Sequence, residues 1–190
     1  MKLTGSMASY PVFPNWVFEG KLELTRDIAT SIINEVAEKS TPQPTHFGSL
    51  SALPQQTDGM FKLSKMLGRL FIDNVVSHYQ LNDVAERIES SDPQVIRISP
   101  TRNVPVSVRP QRWYSSMIFL STEKKGSHLY FELLDSKLYA TPKKILQSNH
   151  IISPENFKVV FWPSHIPWGF TPNMSSSDTF VFSNHFIIKA

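Results

Sequence analysis

The chain has 190 residues, enough for one domain with a sizeable core, and its 41% apolar and 18% charged residues fit a globular protein. It has no cysteine, which excludes disulfides, thiolate zinc sites and iron–sulfur clusters, and a formal charge of only +3 gives little non-specific pull on nucleic acid. Prolines (14) outnumber glycines (7), a balance that suits strand ends and irregular connections better than a helical bundle.

Met1 to Ser6, ahead of Met7, reads as a leader or an expression remnant, so residues 1–9 are set aside and 10–190 are expected to form one domain. No apolar run is long enough to cross a bilayer and the first residues lack a signal-peptide core, so no membrane association is expected. Pro11 to Leu24 begins extended, and Leu22 and Leu24 alternating with charges suggest an edge strand. Thr25 then offers an N-cap, with Asp27 in the first turn where the helix dipole favours an anion. Ile28, Ile32, Ile33, Val36 and Ala37 recur at helical spacing, and Ser40-Thr41-Pro42 ends the helix. Residues 41–57 read as a loop. Asp58 is the expected cap of a second helix, whose buried stripe is Leu63, Met66, Leu67, Leu70, Phe71 and Val75. A short helical turn is expected near Asp83–Ile88.

From Gln94 the texture changes to short strands punctuated by Pro, Gly and Asn. Strands are expected at Val95–Ser99, Val104–Val108, Trp113–Ser121, Ser127–Leu133, Ser136–Ala140, Val159–Trp162 and Thr179–Ile188. Lys124-Lys125-Gly126 looks like a hairpin tip, and 141–157 a longer excursion without a period. In Val160 to Asn173 a buried strand stops at Pro163, turns a corner through Ser164-His165-Ile166-Pro167, and resumes at Trp168. Helices first and strands after imply an α+β fold, with N-terminal helices packed on an antiparallel roll.

Two segments, Val104 to Leu120 and Val160 to Asn173, together with the Val12-Phe13-Pro14 run and the helices after it, resemble a phage and bacterial family of 2-oxoglutarate/Fe(II) oxygenases. The resemblance covers the chain from about Phe13 to Ile187. It implies a double-stranded β-helix (a jelly roll) whose open end holds non-haem iron with two histidines and a carboxylate, and a basic residue that anchors the co-substrate. Where the family carries its early ligand pair, this chain reads Ser107-Val108-Arg109-Pro110; the late histidine falls at Trp168, and the anchor close to Thr179. A guanidinium keeps its proton and repels a dication, and an indole does not coordinate iron.

The expectation is therefore a jelly-roll protein that has lost its metal-ligand positions, binds no cofactor and acts as a structural or interaction component. By analogy with tailed phages it would reside in a virion or the host cytoplasm, with other protein subunits as partners and homo-oligomers possible through exposed strand edges. Arg109, Arg112, Trp113 and Trp168 are the candidate interaction surface. Two alternatives stand beside it. An active dioxygenase would bind Fe(II) and 2-oxoglutarate with a displaced ligand set from His165, His128 or His185 plus Glu132 or Asp135. A carbohydrate-binding or host-recognition module would use Trp113, Trp162 or Trp168 as a stacking platform. Arg97, Arg102, Arg109 and Arg112 gather in one stretch that reads as a solvated face, and Asn173-Met174-Ser175 fits the glycosylation pattern.

Overall fold

A computed structural model describes residues 5, 7–12, 15–39, 43–45, 48–51, 57–109, 111–132 and 149–189. Two antiparallel sheets carry the fold. The large one has the order β1(Ala8–Val12), β2(Asn15–Lys21), β10(Lys158–Pro163), β7(Tyr114–Ser121), β12(Thr179–Ile188), β5(Ile88–Ile98), β4(Gly48–Ser51), β3(Gln43–Thr45). The small one runs β6(Val104–Ser107), β11(Trp168–Phe170), β8(Leu129–Glu132), β9(Asn149–Ile152). From β5 onward the chain passes back and forth between the sheets, which makes the expected jelly roll. The expected helices are α1(Arg26–Lys39) and α2(Asp58–Phe71); α2 continues through a π-helical turn, Ile72–Val76, and a 3₁₀ turn follows at Asn82–Arg87.

The large sheet is buried on both faces, so its central strands lose the apolar/polar alternation of a half-exposed strand. In β7 and β10, Tyr114, Ile118, Leu120, Val159 and Phe161 enter the core shared with the helices. Their neighbours Met117, Phe119, Val160 and Trp162 point into the roll. Phe71, at the end of α2, stacks on Phe186 of β12 with ring centroids 4.2 Å apart and 3° between planes. The two helices approach closely at Gly59, where an added Cβ would come within 2.8 Å of the Ile32 side chain.

Several expectations change. Thr57, not Asp58, caps α2: its hydroxyl accepts from the Met60 N–H at 3.3 Å, and Asp58 occupies the first turn. Ile28 is exposed, because α1 turns Ala29 and Ile32 to the core. β2 is no edge, since β1 pairs along its outer side and β10 along the other. The stretch 41–57 contains the hairpin β3–β4, which extends the large sheet beyond β5. The excursion 141–157 contains β9, the edge of the small sheet. Lys124-Lys125-Gly126 is a turn, but it carries the chain from one sheet to the other rather than closing a hairpin, with the Gly126 N–H donating to the Glu123 carbonyl at 2.8 Å. β5 starts seven residues earlier than Val95, at Ile88. Its polar first half escapes notice because Asp92-Pro93 interrupts it; these two residues fall where the ladder to β12 shifts register, so the missing proline N–H costs no ladder bond. β1 begins at Ala8, inside the segment set aside as a leader. Ser136–Ala140, Phe13, Pro14 and Asp135 lie outside the described residues.

Candidate functional site at the mouth of the roll

The corner Pro163 to Trp168 closes one end of the roll. Pro163 ends β10 and the Ile166 N–H donates to its carbonyl at 3.0 Å, which forms the turn. Backbone bonds then gather the neighbouring strands around this corner. The Arg109 N–H donates to the Ser164 carbonyl (3.0 Å), the Ser164 N–H to the Trp113 carbonyl (3.1 Å), and the Glu132 N–H to the Pro167 carbonyl (2.9 Å). Ser107, the last residue of β6, and Trp168, the first of β11, are direct cross-strand partners. The positions that the resemblance aligns with two metal ligands thus meet in space.

Trp168 presents a buried aromatic ring here. Trp168 is 3% exposed, and its ring lies 5.8 Å from Trp162 and 6.1 Å from Phe170, edge to face with both. Trp162 is fully buried and packs against Phe131 at 5.3 Å. Gly169 leaves room on the other face of β11 for Tyr130, whose hydroxyl would sit 2.8 Å from an added Cβ. Burial, then the charge of Glu132, raises the Tyr130 phenol above its ordinary pKa, consistent with both residues sharing the outer face of β8.

Behind this aromatic layer runs a buried polar chain. The Ser164 and Ser115 hydroxyls are 2.8 Å apart, and Ser115 Oγ lies 2.8 Å from His185 Nδ1. All three residues are at most 1% exposed. The Trp162 and Trp168 indole N–H groups and the Ser183 hydroxyl are also buried and have no hydrogen-bond partner. Ser115 and Ser164 were not among the residues singled out from the sequence. The available signal is Ser115-Ser116 inside an otherwise apolar strand, where a hydroxyl must find a partner.

The remaining candidates disperse. Arg109 is exposed at the rim and Arg112 half-buried beside it, but Arg97 sits at the far end of β5, ion-paired to Asp178 at 2.6 Å. The arginines do not form one face. Thr179 is fully buried at the opposite end of the roll, its hydroxyl 3.3 Å from that of Thr122. At about 3.3 Å rise per residue, it lies roughly 20 Å along β12 from His185. His128 is also at that far end, its backbone bonded to Thr171. Glu132 is near the mouth but on the outer face of β8, and His165 is exposed on the corner. Among the described residues, no three His, Asp or Glu side chains converge as a metal site. The described members of the displaced ligand set, His165, His128, His185 and Glu132, are not brought together.

The stacking-platform reading fails for Trp162 and Trp168, because both rings are inside; of the proposed interaction surface, Arg109, Arg112 and the half-buried Trp113 remain. Asn173 is fully buried, and its amide nitrogen donates to the Ile98 and Ser177 carbonyls at 2.8 Å, so the glycosylation pattern has no free acceptor. No helix among the described residues is long and apolar enough to cross a membrane.

No protein-family model and no curated protein matches the sequence. Solved structures do. A prolyl-4-hydroxylase from Pseudomonas putida superposes with a TM-score of 0.65 at 13% identity, covering 95% of this chain and 96% of that one. The viral collagen prolyl hydroxylase of Paramecium Bursaria Chlorella virus-1, solved with 2-oxoglutarate, gives 0.60 at 15% identity over 90% and 94%. The roll has the 2-oxoglutarate oxygenase fold. HygX from Streptomyces hygroscopicus, solved with nickel, 2-oxoglutarate and hygromycin B, adds 0.61 at 11% identity over 90% and 82%. The oxygenase-like jelly roll expected from the sequence is therefore the fold observed.

Proposed function

We propose that this oxygenase-fold chain acts by binding, as a structural or interaction component, and not by iron chemistry. The reading rests on one observation: the cross-strand pair Ser107 and Trp168, with Arg109 at its rim, stands where the resemblance implies metal ligands. A neutral hydroxyl and an indole are poor partners for Fe(II), and a guanidinium repels it, so these residues do not fit the metal. A fold outlives a chemistry because the chemistry resides in a few side chains. The tailed-phage virion, with other protein subunits as partners, is the setting that the resemblance implies for such a component. Purified protein supplied with Fe(II), ascorbate and 2-oxoglutarate is expected to release no succinate above the protein-free rate. Turnover that depends on added iron would overturn the proposal.

A second reading, an active non-haem Fe(II)/2-oxoglutarate dioxygenase, draws support from the solved structures, which share the fold over nearly the whole chain. It requires His165, His128 or His185 with Glu132 or Asp135 to converge after rearrangement. Iron-dependent turnover that disappears in His165→Ala would establish it.

A further inference from the structure

We propose that the open edge of β6 is a docking site for an extended acidic segment of a partner protein, laid along it as an added strand; this rests on the binding reading above and names the partner's chemistry. β6 ends the small sheet, with β11 on one side and no strand on the other among the described residues. A free strand edge offers unpaired backbone groups, and extended peptides use such groups in strand addition. At the opposite edge of the same sheet, β9 is already tied to the large sheet, with His150 Nε2 3.7 Å from Glu19 Oε1 of β2.

The side chains along this edge select the occupant. Ser107 pairs with Trp168, whose ring is inside, so the neighbours Val106 and Val108 turn outward, and they are 38% and 41% exposed. Arg102 precedes the strand and Arg109 follows it; both are exposed, and neither has an acidic partner among the described residues. Their backbones are fixed. The Arg102 N–H donates to the Ser99 carbonyl at 3.0 Å, the Arg102 carbonyl accepts from the Asn173 N–H at 2.8 Å, and the Arg109 N–H donates to Ser164. From Pro93 to Thr122 the sequence carries four arginines and no Asp or Glu. The edge is thus an apolar strip with an unpaired cation at each end, the two roughly 20 Å apart along an extended backbone. A second copy of this chain is the wrong occupant. Antiparallel pairing of two such edges about Pro105 and Val106 sets Arg102 against Arg109 of the second copy, and like charges directly opposite destabilise a ladder. A strand with a carboxylate at each end and apolar side chains between them matches instead. Pro105 has no N–H to give, a loss that an edge strand tolerates.

The test titrates ¹⁵N-labelled full-length protein with the end-capped peptide Asp-Val-Thr-Val-Thr-Val-Thr-Asp and with its counterpart bearing Lys at both ends. The amide signals of Val104, Val106 and Val108 are expected to shift and saturate with the acidic peptide and to stay in place with the basic one. Arg102→Gln and Arg109→Gln should each raise the half-saturating concentration severalfold, and added salt should do the same. Both arginines are exposed, so these variants keep the fold. Signals that ignore the acidic peptide, or that answer both peptides equally, would overturn the proposal. So would a dimer in sedimentation that Val106→Asp dissolves, since a second copy then fills the edge. Succinate release decides the binding reading separately: turnover removes that reading whether or not the peptide binds, and a peptide that fails to bind, without turnover, removes only this partner.

Discussion

The large sheet faces two cores, and they treat polar atoms differently. On the helix side, groups that reach in from the sheet find partners. Asn184 accepts from the Ser64 hydroxyl at 3.2 Å and donates to Ser90 at 3.1 Å, and the Tyr114 and Tyr79 hydroxyls are 2.9 Å apart. Burial, reinforced by that Tyr79 bond, raises the Tyr114 phenol far above its ordinary pKa, so it stays a neutral partner. On the roll side, at the mouth, two indole N–H groups and a serine hydroxyl have none. At the far end of the same roll, Asn173 uses its whole amide, accepting from the Ser175 N–H and hydroxyl and donating to two carbonyls. Unpartnered polar atoms are not confined to the mouth, since the Ser127 hydroxyl at the far end and Glu35 Oε2 on α1 are also buried without a partner. What separates the regions is the kind of group: the helix side pairs the amide and hydroxyls that enter it from the sheet, whereas the mouth buries two indoles for their ring area and leaves their N–H groups unpaired.

The largest effect should come from the helix side. Phe71→Ala removes the ring stacked on Phe186 and should cost about 3–5 kcal/mol in chemical denaturation. Trp168→Phe keeps most of the aromatic volume at the mouth and discards an unpartnered N–H, so its cost should stay below about 1.5 kcal/mol. A loss as large as that of Phe71→Ala would erase the distinction between the two cores. Asn173→Ala, at the far end, strands the Ile98 and Ser177 carbonyls and should cost about 2–3 kcal/mol by the same measurement. Removing the α2 cap with Thr57→Ala is smaller, about 1 kcal/mol, and calorimetry should register it as a modest drop in Tm.

The smallest effect lies on the flank of the sheet. The hydrogen bond from Lys21 lowers the Glu155 pKa, opposed by slight burial and helped by the charges of Lys21 and Lys158. A carboxyl depressed in the folded state stabilises above its ordinary pKa, and that contribution is lost as pH falls through the lowered value. Because both side chains are about half exposed, the gain should be only a few tenths of a kcal/mol. Lys21→Gln should therefore lower stability slightly at neutral pH and leave it unchanged at acid pH, as pH-dependent urea titrations can show.

Much of this architecture was legible in the sequence. The 3.6-residue spacing of Leu63, Leu67 and Phe71 marked a helix face, and the proline at 163 marked the corner that organises the mouth. The family resemblance implied that Ser107, Arg109 and Trp168 share one end of the roll, and strand pairing sets Ser107 opposite Trp168. What stayed hidden depends on long-range pairing. β2 read as an edge because nothing local records that β1 folds back over it. The polar half of β5 was assigned no element because nothing local records its pairing with β12, roughly a hundred residues away. Trp162 and Trp168 could have been either surface or core by composition; burial between two sheets decides, and no window of sequence contains both sheets.

On the proposed reading, the residues at the mouth do not suit a dication. Crystals soaked in Mn(II), a redox-stable substitute for Fe(II), test it through the anomalous scattering of the metal. The account predicts no anomalous peak within coordination distance of Ser107, Trp168 or His185. A strong peak held there by three protein side chains would contradict it.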